Sequence, residues 1–338
     1  MHLFRFIVIK IKHIILTLII CLFPILLIVF SNKNMEAAKS GLALWYTSVI
    51  PSLFPFFIAT ELLGYTRVID FLGKIFNKIM RPVFNVPGEG IFPLLMGIIS
   101  GYPVGAKIVS NFKREKICTE IECERLIAFT NNSGPLFILG TVGISLFHSL
   151  HVGICLLISH LLSCILVGFC FRWWKKNTEK NIYTRDSSSN YKRNISFANL
   201  GEILSKSISS SINSILMIGG FVVLFSVISS ILESTKIITF LSFIFSPLFH
   251  LLNISNTFFA PLFTGFVELT NGLQKLSNIE FSATSLYISS FILCFGGLSV
   301  LLQVLSIIAK EKISIKPYII GKLLQGVFSV IITFFLYN

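Results

Sequence analysis

Long apolar runs alternate with short polar segments along most of this chain. A helix needs about 20 apolar residues to cross the hydrocarbon core of a bilayer. Seven runs reach or approach that length, and we predict that each is a membrane-spanning helix. They cover residues 14–30, 44–64, 126–147, 149–171, 208–232, 284–309 and 317–337. The pattern therefore predicts an all-α polytopic membrane protein with about seven full transmembrane helices.

Two further apolar runs, residues 91–106 and 257–273, are short and interrupted by Gly, Pro or Asn. Irregular backbone at membrane depth occurs only where protein or water surrounds it. We therefore predict that both runs are re-entrant or broken segments. Residues 67–83 instead place apolar side chains opposite charged ones at helical spacing, which predicts an amphipathic helix on the membrane surface.

Composition agrees with this class of protein. Hydrophobic residues make up 54% of the chain and charged residues only 13%, whereas soluble proteins carry about 25% charged residues. The net charge is +13, but the basic residues lie between apolar runs, so we expect contact with the lipid bilayer and no nucleic acid partner. The seven cysteines are odd in number and form no CxxC pair, which favours neither a disulfide framework nor a metal site.

The distribution of Lys and Arg predicts the orientation in the membrane. With the N-terminus in the cytoplasm, the segments predicted to be cytoplasmic hold 23 Lys and Arg and the outer segments hold four. Basic loops face the cytoplasm in most membrane proteins. We therefore expect a multi-pass protein of the cell membrane whose N-terminus and basic linker, residues 172–207, are cytoplasmic.

The same elements recur in the same order in both halves of the chain. We divide the sequence into an N-terminal helix (1–40), a first repeat (41–171), the linker (172–207) and a second repeat (208–338). The predicted orientation makes the repeats antiparallel. Inverted repeats with discontinuous helices are typical of secondary transporters, whose solute site lies between the repeats.

Two blocks of the first repeat combine glycine, proline and small polar residues. Gly97, Gly101 and Gly105 fall four residues apart, which permits close backbone approach, and Pro103 breaks the helix near residues 100–102. In the second block Pro135 suits the first position of a new half-helix, capped by Asn132 or Ser133 and able to bind an anionic or carbonyl oxygen. Ordinary packing between polar helices is the alternative. The candidate solute-binding residues here are Ser100, Gly101, Tyr102, Pro103, Gly105, Lys107, Thr130, Asn131, Asn132, Ser133, Gly134 and Pro135.

In the second repeat Glu268 and Asn271 take the place of the first block. A carboxylate inside a membrane costs about 2.5 to 3.5 kcal/mol on insertion scales, so Glu268 predicts a proton or sodium site. The alternative is that it lies near the outer interface or pairs with Lys275. We place Glu61 at the interface. We also expect His148, His151 and His160 to pack at the interface rather than to bind a metal.

Motifs of soluble enzymes are not found in the sequence. It contains no glycine-rich phosphate loop, no GxSxG and no HExxH. We therefore expect no enzymatic activity and no cofactor.

The two blocks resemble those of a known family. Residues 100–107 (SGYPVGAK) and 130–137 (TNNSGPLF) are similar to motifs of the YlbJ-type sporulation integral membrane proteins of endospore-forming Firmicutes, which belong to the nucleoside-recognition, or Gate, group. The resemblance extends over nearly the whole chain from Gly41. The family usually has Asn before the second proline, where this chain has Gly134, and one candidate ligand amide is thereby lost.

The resemblance implies a role in spore formation and kinship to concentrative nucleoside transporters and to the membrane domain of ferrous-iron transporters. The leading hypothesis is a Gate-type permease for a small polar, nucleoside-like solute or an ion, acting alone or as a homo-oligomer. A non-transporting scaffold for spore cortex formation is the alternative. An intramembrane enzyme acting on lipid-linked precursors ranks last, because only Glu268 and Lys107 leave it open.

Overall fold

In the computed structural model, residues 2–175, 198–251 and 253–337 are described, and they contain helices but no strand. The part before the linker forms α1 (His2–Val29), α2 (Ser31–Leu44), π1 (Trp45–Val49), α3 (Ile50–Gly64), α4 (Val68–Phe84), α5 (Ile91–Ser100), α6 (Val104–Arg114), α7 (Glu120–Ile127), π2 (Leu136–Leu146) and α8 (Leu150–Phe171). The part after it forms α9 (Leu200–Ser234), α10 (Ile237–Leu251), α11 (Phe259–Val267), α12 (Leu269–Ser277), α13 (Ala283–Phe295), α14 (Gly297–Ile308) and α15 (Lys316–Tyr337). Here π1 and π2 are π-helices, which are wider than α-helices.

Five helical segments are long and apolar enough to cross a membrane. They are Ser31–Gly64, Leu150–Phe171, Leu200–Ser234, Ala283–Glu311 and Lys316–Tyr337. Each contains or closely matches a predicted span, and the predicted span 14–30 lies in the 28-residue helix α1. The protein is therefore an all-α, multi-pass membrane protein.

The predicted span at residues 126–147 is interrupted, in agreement with the half-helix predicted to start at Pro135. Helix α7 ends at Ile127, and π2 begins at Leu136. The backbone between them is not helical, because its polar groups bind side chains of other helices, including His160, which accepts a hydrogen bond from the Ser133 N–H at 3.2 Å. A break is tolerated inside a membrane when neighbouring helices satisfy the freed backbone groups in this way.

Both predicted broken segments are helical hairpins. The first joins α5 and α6 through a tip at residues 101–103, and the second joins α11 and α12 at Glu268, whose backbone is extended. A methyl group on Gly272 would overlap the backbone of Gly265, so the two arms of the second hairpin touch. Glycine at such contacts lets the backbones approach closely.

The predicted surface helix is α4, and it lies at 88° to the segment Gly88–Ser100 that follows it. Phe71, Ile75 and Ile79 form an exposed apolar stripe four residues apart, while Ile69 and Met80 are buried against the bundle. An exposed apolar stripe next to basic residues is typical of a helix at the bilayer interface.

The order of elements is the same in both halves. Each half, α3 to α8 and α9 to α15, contains two helices, a short 3₁₀ turn and a hairpin. A helix, a break, a second helix and a final long helix follow in the same order. The antiparallel relation of the halves remains a prediction.

Most of the predicted linker lies outside the described residues, which omit 176–197. Its beginning is held by α7. The guanidinium of the fully buried Arg125 donates to the carbonyl oxygens of Trp174 (2.7 Å) and Asn85 (2.9 Å), and the Trp174 indole donates to Glu124 at 2.8 Å. The end of the predicted linker is helical, since α9 begins at Leu200.

Candidate functional site

The breaks of both halves meet in the middle of the bundle. The hydroxyl of Tyr102, at the tip of the first hairpin, donates to the carbonyl oxygen of Leu293 at 3.2 Å, and the Ser133 hydroxyl donates to the same oxygen at 3.4 Å. Leu293 lies near the end of α13, just before the break at Gly296. These bonds tie the first hairpin and both broken helices together.

The second hairpin joins this centre through Gly297. Its φ of +78° is one that glycine adopts readily and other residues rarely. A Cβ atom at this position would lie 2.9 Å from the Gly265 carbonyl oxygen and 3.3 Å from the Leu269 backbone nitrogen. Any larger residue would therefore separate the second break from the tip that carries Glu268.

A cavity of about 650 Å³ lies between these breaks, within the roughly 300–1,000 Å³ usual for small-molecule sites. We call it the central cavity. Both π-helices contribute to its wall, and π-helical turns occur frequently at functional sites. Its polar lining residues are Thr47, Ser48, Ser52, Ser100, Tyr102, Ser133, Thr141, Ser145, Glu268, Thr270, Ser299 and Gln303.

Glu268 is a buried carboxylate on the wall of the central cavity. Its side chain is 4% exposed, and it accepts a hydrogen bond from the Asn271 backbone N–H at 2.7 Å, so it caps α12. Glu268 is therefore not a solvated carboxylate, and it does not pair with Lys275, which forms an ion pair with Glu233 instead. The two oxygens of a carboxylate can accept about four hydrogen bonds, so acceptor capacity remains beside the bond from Asn271.

Ser100 also offers unused hydrogen-bonding capacity. Its side chain is 1% exposed and lines the central cavity. Among the described residues, no side chain or backbone group bonds to its hydroxyl. Buried polar groups are nearly always hydrogen-bonded, so this hydroxyl is available to a molecule in the cavity.

Six of the fourteen candidate residues line the central cavity: Ser100, Gly101, Tyr102, Ser133, Gly134 and Glu268. The other eight do not: Pro103, Gly105, Lys107, Thr130, Asn131, Asn132, Pro135 and Asn271. Pro135 begins the helical turn before π2, as expected, but neither Asn132 nor Ser133 caps that helix. Their side chains donate instead to the carbonyl oxygens of Phe129 (2.8 Å) and Leu293 (3.4 Å).

The residues outside the cavity hold the hairpin in place. A methyl group on Gly97 or Gly105 would overlap the carbonyl oxygen of Thr130. Asn131 accepts a hydrogen bond from the Ala106 N–H at 3.4 Å and donates to the Tyr318 hydroxyl at 3.4 Å. For these residues, packing between polar helices describes the structure better than solute binding does.

Lys107 forms an ion pair with Glu61 at 2.6 Å, away from the central cavity. Its ammonium group also donates to the hydroxyls of Ser210 (3.0 Å) and Ser214 (2.9 Å) on α9. The partly exposed Glu61 is therefore bonded to α6 and α9, and its position at the membrane interface stays a prediction.

Sequence reasoning missed a buried network next to the cavity. The Lys322 ammonium is 1% exposed, donates to the Gln325 amide oxygen at 2.7 Å and lies 4.9 Å from the centre of the Tyr102 ring. Gln325 in turn donates to Asn132 at 3.0 Å. The signal was present in the sequence, since a charged residue inside a spanning helix marks a functional site by default.

The prediction that His160 packs at the interface is wrong. This imidazole is only 1% exposed. Its Nε2 atom accepts a hydrogen bond from the Ser133 N–H, and its Nδ1 atom lies 3.1 Å from the Cys294 sulfur. His148 and His151 are exposed. Among the described residues, no group of three His, Cys, Asp or Glu side chains is placed to hold a metal ion.

Two helical hairpins and two broken helices around one polar cavity, inside a bundle of spanning helices, define the class. The chain belongs to the Gate family, described as nucleoside recognition, whose model matches residues 46–171 and 215–313. Both hairpins and both breaks lie within the matched residues.

Within that class the chain is of the YlbJ type. It is 35% identical over 319 residues to the sporulation integral membrane protein YlbJ of Bacillus subtilis (strain 168), and the match covers 91% of this chain and 78% of the relative. No solved structure matches the chain at a significant level.

Proposed function

We propose that this protein is a sporulation-associated permease that binds a small polar solute in the central cavity and carries it across the cell membrane. The observation that supports this most directly is the central cavity, where the tips of two hairpins meet two broken helices. Its lining includes Glu268 and the unbonded Ser100 hydroxyl. The similarity to YlbJ supports the link to sporulation, and the Gate family supports a nucleoside-like solute.

The lining suits a solute with hydroxyl groups and a flat, less polar part. The Glu268 carboxylate accepts hydrogen bonds from hydroxyls, and Gln303 and Thr270 can donate or accept. Tyr102 and Phe137 supply aromatic surface in the same cavity. A nucleoside combines these features. A coupling ion at Glu268 is the alternative use of the same carboxylate.

Movement of the two repeats against each other would expose the cavity to each side in turn, as in other transporters built from inverted repeats. In this proposal the N-terminus and the basic linker face the cytoplasm. This orientation would place 23 Lys and Arg in cytoplasmic segments and four in outer segments, as is usual for membrane proteins.

Uptake of radiolabelled nucleosides into proteoliposomes tests the proposal. Glu268→Gln should lower uptake about ten- to a hundredfold, because hydrogen bonds to a charged group contribute about 1.5–3 kcal/mol. Glu280→Gln is the matched control, since Glu280 is exposed in the loop before α13. Equal uptake by the wild type and Glu268→Gln would contradict the proposed role of the cavity.

Complementation of spore formation in a Bacillus subtilis strain lacking YlbJ separates a permease from a scaffold. A permease should lose function with Glu268→Gln and largely keep it when residues 177–200 are deleted. The reverse result would favour a scaffold that recruits partners through its linker.

A further inference from the structure

A second polar cavity lies between α2, α9 and α12. It has a volume of about 710 Å³, and we call it the polar vestibule. Every lining residue except Ala37 is polar or charged: Lys33, Glu36, Ser40, Ser226, Ser229, Ser230, Glu233, Ser234, Asn271, Gln274, Lys275 and Asn278. Polar groups are stable where they can form hydrogen bonds. A cavity this polar, in a protein that is 54% hydrophobic, therefore favours a polar occupant.

The central cavity and the vestibule lie along one face of α9. Ile218 and Val222 line the central cavity, and Ser226, Ser229 and Glu233 line the vestibule. These positions are three or four residues apart, so they share a face of the helix. From Val222 to Glu233 the helix rises about 16 Å.

Helix α12 borders both cavities in the same way. Glu268 and Thr270 line the central cavity, and Asn271 lines the vestibule. The Asn271 amide donates to the Ser226 hydroxyl at 3.4 Å. Both residues line the vestibule, and Asn271 directly follows Thr270 of the central cavity in the sequence. This long hydrogen bond between an amide and a hydroxyl is weaker than a charged pair. A solute can therefore displace it.

Two features indicate the chemistry of the occupant. The Ser229 side chain is 4% exposed, and its hydroxyl has no partner among the described residues, so it can bond to a molecule in the vestibule. The lining carries two lysines and two glutamates, whose charges cancel. Such a surface favours an uncharged or zwitterionic molecule with hydroxyl groups.

The equivalent place in the first half is closed. Lys107 on α6 pairs with Glu61 near the end of α3, just as Lys275 on α12 pairs with Glu233 near the end of α9. Around the first pair the cleft measures only about 60 Å³, and its lining includes Phe57, Phe92 and Phe112. Lys107 also donates to two serine hydroxyls of α9. Among the described residues, Lys275 bonds to no side chain besides Glu233.

We propose that the polar vestibule is the binding site through which an uncharged or zwitterionic, hydroxyl-bearing solute reaches the central cavity, and that the Glu61–Lys107 pair closes the opposite route. The inference rests on the proposed function, because it assigns a path to the solute of the same cavity. Its test measures access rather than transport, so failure of either idea can be recognised separately.

Thr270→Cys places a thiol on the wall of the central cavity. Cys21 and Cys170 are exposed and are replaced by alanine in the background. The five other cysteines are buried. Burial raises the pKa of the Cys118 thiol in the loop after α6, so less reactive thiolate forms there at neutral pH and this residue should stay unlabelled. A membrane-impermeant thiol reagent is applied to right-side-out and inside-out vesicles.

We expect labelling of Thr270→Cys from the side that carries Glu233 and Lys275. Adding Ser230→Trp fills the vestibule and should slow labelling about tenfold or more, since reaction follows access to the thiol. Leu224→Trp is the matched control, because Leu224 is on the same helix but is exposed outside the vestibule. Equal rates with and without Ser230→Trp, or no labelling of the parent from that side, would overturn the proposal.

Lys107→Gln removes the charge that closes the opposite route. Labelling of Thr270→Cys from the other side should then rise about tenfold above its background, as expected when a hydrogen-bonded charge pair is lost. Lys275→Gln is the control and should leave the other side unlabelled. If Lys107→Gln also leaves that side unlabelled, the assignment of the closed route is wrong.

Discussion

Buried polar side chains of this protein bind chiefly to carbonyl oxygens and to one another. Tyr102 and Ser133 share the Leu293 carbonyl oxygen, and Lys322 binds an uncharged amide rather than a carboxylate. The Tyr102 and Ser133 bonds connect elements that are distant in sequence, whereas Lys322 and its partner Gln325 both lie on α15. Where the bilayer offers no water, such bonds decide whether a polar residue is tolerated.

We predict that Gln325→Leu lowers stability by about 1–3 kcal/mol, because it leaves the buried Lys322 ammonium and the Asn132 amide oxygen without their partner. The thermal midpoint of the purified protein measures this change. Leu323→Ala on the exposed face of α15 should shift the midpoint less. An equal or smaller shift for Gln325→Leu would show that other groups, or water, replace the lost amide.

Among the helices, the first hairpin depends on glycine for its position. Gly97 and Gly105 face the same carbonyl oxygen, that of Thr130, from the two arms of the hairpin. The broken backbone before π2 therefore lies between α5 and α6. This contact brings Ser100 and Ser133 to one cavity, although 32 residues separate them along the chain.

Gly97→Ala should destabilise the protein by about 1–3 kcal/mol, the usual cost of overpacking. The added methyl group overlaps backbone rather than a movable side chain. Gly220→Ala is the matched control, since no atom lies within 4 Å of a Cβ at that helical position. Thermal unfolding of both variants measures the difference, and a stable Gly97→Ala protein would contradict the contact.

Across the whole molecule, the repeated order of elements brings two hairpins and two breaks to one centre. The two ion pairs, Glu61–Lys107 and Glu233–Lys275, occupy corresponding places in the two halves. If the halves are antiparallel, these pairs lie on opposite sides of the membrane. That relation is the basis of alternating access in transporters with inverted repeats.

Single cysteines test the orientation directly. Ser187→Cys in the linker should react with an impermeant reagent only from the cytoplasmic side, and Glu280→Cys only from the outside, because basic segments stay in the cytoplasm. The N-terminus should lie on the same side as residue 187. Labelling of both cysteines from one side would exclude the inverted arrangement.

The sequence by itself determined the class of fold and, through Pro103 and Pro135, the breaks of the first repeat. Long apolar runs become spanning helices because the backbone must bond to itself in lipid. Pro103 and Pro135 mark breaks because proline lacks the N–H that a continuous helix needs. Both effects depend on the residue and its immediate neighbours, so they can be read without the fold.

Only the tertiary structure decided which polar residues face the cavity. Lys107 lies four residues after Pro103 in the sequence but pairs with Glu61, and His160 lies in an apolar run but binds the Ser133 N–H. The packing of whole helices determines the partner of each, because it brings residues that are far apart in the chain within 2.6 Å (Lys107 and Glu61) and 3.2 Å (His160 and Ser133) of each other. Hydropathy and spacing carry no information about such contacts, because they describe one helix at a time.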